Sequence, residues 1–117
     1  MKEFIFNDCN VCTNPNKING EVKRFQWEIT TAFNGKNWVH GHNFSTPTSG
    51  WGCGAWKKDT ESFATEHEAI EAGAKKGLNF FEQAKKDGMN IPAQLFQELK
   101  NLCGKPQPVQ LTLFGFC

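Results

Sequence analysis

The sequence predicts an α+β fold: a three-stranded antiparallel sheet packed on a long helix, followed by a short helix and an extended C-terminal tail. Three observations carry this expectation. A run of alternating aromatic residues occupies positions 25–33, an Asn-Gly turn signal follows it directly, and a capped stretch of helical periodicity fills the second half.

Phe4-Ile5-Phe6 is a short apolar run suited to an edge strand. Residues 7–20 are dominated by Asn, Thr, Pro and Gly and read as a loop that holds Cys9 and Cys12. Phe25, Trp27, Ile29, Thr31 and Phe33 then alternate with Arg24, Gln26, Glu28, Thr30 and Ala32, the pattern of a half-buried strand with an aromatic face. Asn34-Gly35 supplies a hairpin turn, because both residues tolerate positive φ. The returning strand, residues 38–44, places Trp38, His40, His42 and Phe44 on one face. An even loop length makes that face coincide with the aromatic face of the first strand. Residues 45–50 read as a loop and residues 51–57 as a glycine-broken third strand.

The helical half begins at Thr65, where Thr65 and Glu68 form a capping-box pattern flanked by the apolar Phe63 and Ala69. From Glu66 to about Lys86, Ile70, Ala74, Leu78 and Phe81 recur at helical spacing. Glu71/Lys75 and Glu82/Lys86 pair at i,i+4 on the solvated side, where His67 also falls. Gly73 and Gly77 lie one turn apart, which permits close approach to the sheet at a propensity cost of roughly 1 kcal/mol each. Asp87-Gly88 ends the helix. Asn90 is the expected cap of a second helix with Pro92 near its start and Leu95, Leu99 and Leu102 inward. Trp27, Ile29, Phe33, Ile70, Leu78 and Phe81 are the expected core.

At 117 residues the chain is one domain's worth, taken as 1–104 with a tail over 105–117. Eleven Phe and four Trp with no Tyr mean the core rests on a few large rings, and a net charge of +1 gives no bulk attraction to nucleic acid or membrane. No apolar stretch approaches the roughly 18 residues of a membrane span, and because Met1-Lys2-Glu3-Phe4 leads into polar sequence no signal peptide is expected. The expected location is cytoplasmic, with the five cysteines reduced unless they bind metal.

Several residue groups could carry chemistry. Cys9-Asn10-Val11-Cys12 has the spacing of a zinc knuckle, and His40-Gly41-His42 sets two imidazoles about 6–7 Å apart on one strand face, so these four are the candidate zinc ligands. The alternative for the cysteines is two unliganded thiols, and for the histidines packing at the edge of an aromatic core. A platform of Trp27, Trp38, His40, His42 and Phe44 on which bases stack is the nucleic-acid reading, with Lys23, Arg24, Lys57 and Lys58 as phosphate contacts beside Trp38. Cys53, between Gly52 and Gly54, is the one candidate nucleophile, with His40 or His42 as its base. No phosphate loop, dinucleotide fingerprint or nucleophile elbow is present, and the expected function is non-enzymatic.

Beyond the turn-forming Gly104-Lys105-Pro106-Gln107-Pro108 comes Gln110-Leu111-Thr112-Leu113-Phe114. This segment resembles the pentapeptide Gln-Leu-(Ser or Asp)-Leu-Phe with which bacterial replication and repair proteins dock on the DNA sliding clamp. Four of five positions match, and Thr112 keeps a small hydroxyl side chain where Ser is common. The resemblance implies that Gln110 hydrogen-bonds at a pocket rim while Leu113 and Phe114 fill the pocket beside Leu111. It further implies an accessory protein of phage or mobile-element type, free to touch DNA or modulate replication. The competing reading is a small zinc-binding or nucleic-acid-binding module whose tail is a structural strand, since Val109, Leu111 and Leu113 alternate with polar neighbours. Trp27, Asn34-Gly35-Lys36, Phe63-Ala64-Thr65 and Glu68-Ala69 together resemble the three-strand-plus-helix domains of phage and mobile-element proteins, including the arm-site DNA-binding domains of tyrosine integrases. That resemblance implies a DNA-facing sheet, although this chain lacks the Lys/Arg density usual there.

Overall fold

The structure is a computed structural model that describes residues 2–59 and 61–103. Among these residues four strands, β1 (Asn16–Val22), β2 (Phe25–Phe33), β3 (Trp38–Ser45) and β4 (Gly50–Cys53), precede two helices, α1 (Glu66–Lys86) and α2 (Ala93–Leu102). The strands form one antiparallel sheet in chain order. The α+β class is as expected. The strand count is corrected from three to four, because residues 16–20, expected as loop, open a full edge strand.

The missed strand has a physical explanation in its neighbours. Ile18, Gly20 and Val22 pair with Ile29, Trp27 and Phe25, and Gly20 adds no side chain to the apolar face. The Trp27 indole lies across it instead, so close that a Cβ on Gly20 would sit 2.5 Å from the ring nitrogen. The β1–β2 connection is a two-residue loop in which Lys23 and Arg24 take φ of 50° and 72°. Those values suit the primed turn of a tight hairpin, but that turn is ordinarily written with Asn and Gly. The β2–β3 turn is the expected one. Gly35 has φ 98°, and the Asn34 carboxamide oxygen accepts from the amides of Lys36 and Asn37 at 2.9 and 2.8 Å.

Register settles the faces. Trp27, Ile29, Thr31 and Phe33 lie opposite Phe44, His42, His40 and Trp38, so the aromatic face is shared by both strands as anticipated. Helix α1 covers it. The capping box forms, with Thr65 Oγ1 accepting from the Glu68 amide and the Glu68 carboxylate accepting from the Thr65 amide. Glu66 anchors the helix start to the sheet by accepting from Thr31 Oγ1 at 2.7 Å and Asn16 Nδ2 at 2.8 Å.

The buried stripe of α1 is Ala69, Gly73, Ala74, Gly77 and Phe81. Because the small residues face the sheet, Ile70 and Leu78 shift to the helix flank and are only half-buried. Phe33 is also half-buried, packed on Trp38 at the end of the sheet, whereas Trp27, Ile29 and Phe81 are buried as expected. Helix α2 completes the layer: Leu95 and Leu99 are fully buried, and Glu98 accepts the Trp27 indole N–H at 2.9 Å. Its cap residue is Pro92, with no side-chain cap bond, rather than Asn90.

On the reverse face a smaller cluster of Cys12, Ala32, Val39 and Ala55 is closed by Phe4 and Phe6. The 4–6 run makes no strand there and contributes one isolated bridge, Phe6 with Cys12. The strand expected over 51–57 is confined to Gly50–Cys53. Beyond it Ala55 turns inward, and Trp56 bridges Val11.

Candidate functional site

The titratable side chains that come together do so where β3 and β4 meet α1. Strand alternation delivers His40 and His42 to the helix-facing side, both almost completely buried. His40 Nε2 lies 3.1 Å from Glu61 Oε1, which also receives Lys76 from α1 at 3.3 Å. Among the described residues His40 Nδ1 is buried with no hydrogen-bond partner. The hydrogen bond from His40, followed by Lys76, holds the Glu61 carboxyl below its ordinary range. His42 stacks on Phe44 at 5.1 Å and lies under Trp51 at 4.4 Å. Burial first, then the neighbouring His40 and Lys76, push its pKa down to about 4. The imidazole is therefore neutral through the physiological range.

Cys53 comes to His42, as β4 pairing requires, with Sγ 3.9 Å from Nε2 and 4.0 Å from Nδ1. The sulfur is nearly equidistant from the two nitrogens and so faces neither lone pair alone. An imidazole with so low a pKa is also a poor acceptor for a thiol proton, which weakens the thiolate–imidazolium arrangement that Cys–His catalysis needs.

The candidate zinc ligands are divided by the sheet. Cys12 is buried in the reverse-face cluster and Cys9 is exposed in the adjoining turn, whereas His40 and His42 lie on the helix side. Among the described residues no group of three or more His, Cys, Asp or Glu is arranged to hold a metal ion.

The basic and aromatic candidates are also dispersed. Trp27, His40, His42 and Phe44 are covered by the helices and offer no stacking platform, while Trp38 is half-buried between Phe4 and Phe33. Lys57 belongs to the Trp38 end of the sheet: its carbonyl accepts from Asn34 Nδ2 at 3.1 Å, its ammonium lies over Phe6, and Lys58 follows it. Lys23 and Arg24 form the turn at the opposite end, about 30 Å away by the strand rise along β2. The open sheet face between them mixes Lys17 with Glu21 and Glu28 and has no positive field.

One surface feature escaped the sequence reading. Trp51, on edge strand β4, is half exposed and stacks on Phe80 of α1 at 6.2 Å and 15°. The two rings line a groove between the β3–β4 turn, with Thr46 and Ser49, and the stretch of α1 from Lys76 to its cap Asp87. A Trp set between Gly50 and Gly52 has no side chains beside it to cover the ring, and that was the available signal. The pentapeptide Gln110, Leu111, Leu113 and Phe114 lies outside the described residues.

No protein-family model, curated protein or solved structure matches the chain. No helix among the described residues is long and apolar enough to cross a membrane.

Proposed function

We propose that this chain is a non-enzymatic interaction protein that docks on the bacterial DNA sliding clamp through Gln110-Leu111-Thr112-Leu113-Phe114. The observation that carries the reading is the match at Gln110, Leu111, Leu113 and Phe114, set off from α2 by Pro106 and Pro108. One structural fact supports it: the separation of the basic doublets, and of the cysteine pair from the histidine pair, favours docking over a zinc or nucleic-acid module. DNA is then reached through the clamp rather than by a basic face of this chain.

A peptide with Leu111, Leu113 and Phe114 as anchors must order on docking, so affinity in the micromolar range is expected, of order −8 kcal/mol. The test is titration of full-length protein against a purified bacterial sliding clamp. Gln110→Ala together with Phe114→Ala should abolish binding and leave thermal unfolding unchanged. A wild type that does not bind, with a double variant destabilised by several kcal/mol, would identify the segment as a structural strand and remove the proposal.

A further inference from the structure

We infer that the groove between the end of α1 and the start of α2 is a docking surface for an acidic, amphipathic peptide segment of a partner protein. This inference stands apart from the docking role of the C-terminal segment. Gly88, at φ 100°, turns the chain after α1, and α2 then packs against α1. The hollow left between the two measures about 540 Å³. Buried Ile91 and the half-buried Phe96 ring supply its apolar lining.

Charge selects the occupant. Lys85 and Lys86 of α1 and Lys100 of α2 line the same groove, all exposed, against the single carboxylate of Glu82. Among the described residues none of these three lysines is in an ion pair; the pairs formed are Lys17 with Glu28, and Glu61 with His40 and Lys76. Glu82 does not neutralise Lys86, although one helical turn separates them. The Lys85 ammonium lies 5.7 Å from the centre of the Phe96 ring, which keeps it at the groove. Helix α2 adds to the field, because Pro92 gives it no side-chain cap and its first turn lines the groove at Ala93, the positive end of the helix dipole. Apolar anchors flanked by carboxylates complement such a surface, and an amphipathic segment laid into a groove between helices presents them. From Ala93 to Lys100 the groove follows α2 for roughly 10 Å, a concave length suited to a short peptide and not to a flat bilayer. Residues 104–117 hold Lys105 and no Asp or Glu, so the chain beyond Cys103 has the wrong charge to be the intended occupant.

Fluorescence anisotropy on the full chain tests this, with a labelled, blocked peptide of about ten residues in which glutamates flank a Leu-Leu-Phe core. At low salt the Kd should be of order 100 μM, rising about tenfold in about 0.5 M salt. Lys85→Glu combined with Lys86→Glu, and Lys100→Glu separately, should each raise it about tenfold. Ala93→Glu separates binding from folding. A carboxylate in the first turn of α2 favours the helix, so thermal unfolding should hold or rise while peptide affinity falls about threefold or more. The Gln110→Ala/Phe114→Ala variant should bind the peptide like wild type. No binding at about 1 mM peptide, equal binding of a lysine-for-glutamate peptide, or indifference to the charge reversals would each overturn the inference. An affinity raised about tenfold in the tail variant would make the chain's own segment the occupant, and capture by phosphatidylserine vesicles without peptide binding would assign the groove to a membrane surface; either result removes the proposal.

Discussion

Gly77→Ala places two opposing effects on one atom, and the structure decides which wins. Alanine is favoured over glycine in a helix interior by about 1 kcal/mol, so a solvent-facing position would be stabilised. At Gly77, however, the new Cβ would lie 2.8 Å from Phe44 Cε1, 3.0 Å from Cζ and 3.2 Å from Leu99 Cδ1. The Phe44 ring cannot retreat. It is fully buried and has His42, Trp51, Phe80 and Phe81 around it at 5.1, 6.2, 5.9 and 6.0 Å. Forcing one methyl into such a core costs about 1–3 kcal/mol, so against the gain of about 1 kcal/mol in helix propensity the expected net loss runs up to about 2 kcal/mol. Urea unfolding followed by tryptophan fluorescence should show a lower midpoint with an unchanged slope. Phe44→Leu should recover part of the loss in the double variant, with a coupling above about 0.5 kcal/mol, because it vacates the contested space. A stabilising Gly77→Ala would show that α1 does not approach β3 as closely as described, and the argument for a small-residue stripe would fail.

The remaining expectations concern His42, Glu61 and the Trp27–Glu98 hydrogen bond. His42 titrates at about 4 when folded against an ordinary 6.5, so its contribution is fully present above pH 6.5 and is lost as pH falls toward 4. At most about 3 kcal/mol is involved, and His42→Phe should flatten the urea-measured stability over that window. Glu61, held below its usual range by His40 and Lys76, adds stability that is present above the ordinary carboxyl pKa and lost as pH falls through its folded value; Glu61→Gln should remove that acid limb of the profile. Trp27→Phe deletes the indole donor to Glu98 and should cost about 1–2 kcal/mol in the same assay; in a Glu98→Ala background, where the acceptor is gone, that cost should shrink, and an undiminished cost would count against the bond.

Where backbone preference and hydrophobic period agree, the fold was readable before any coordinate. The β2 alternation, the Asn34-Gly35 turn and the α1 capping box each combine a local signal with a period, and each stands where expected. β1 lacked that agreement. Its period of two runs through Ile18, Gly20 and Val22, but Asn16, Asn19 and Gly20 have loop propensities, and the turn that follows is built from Lys23 and Arg24 at positive φ. The strand is rescued by a partner remote in sequence, the Trp27 ring lying over Gly20, and single-segment reasoning contains no term for that. Pairing of a weak strand with a strong one is a tertiary effect that overrides propensity.

The same reasoning explains what happened to the candidate sites. His40 and His42 lie side by side, with ring centroids 5.9 Å apart, because that spacing is local, as is the three-residue separation of Cys9 and Cys12. Whether the two pairs could meet depended on which face of the sheet the N-terminal segment crosses, and no local spacing encodes that. The segment crosses the reverse face because Cys12, with Phe4 and Phe6, covers Ala32 and Val39, the residues that alternate with the aromatic face. Lys76, Trp51 and Asp87 were unremarkable in sequence for the converse reason. Each is ordinary in its own element, and only the packing of β4 beside α1 aligns a cation, two stacked rings and an anion along one groove.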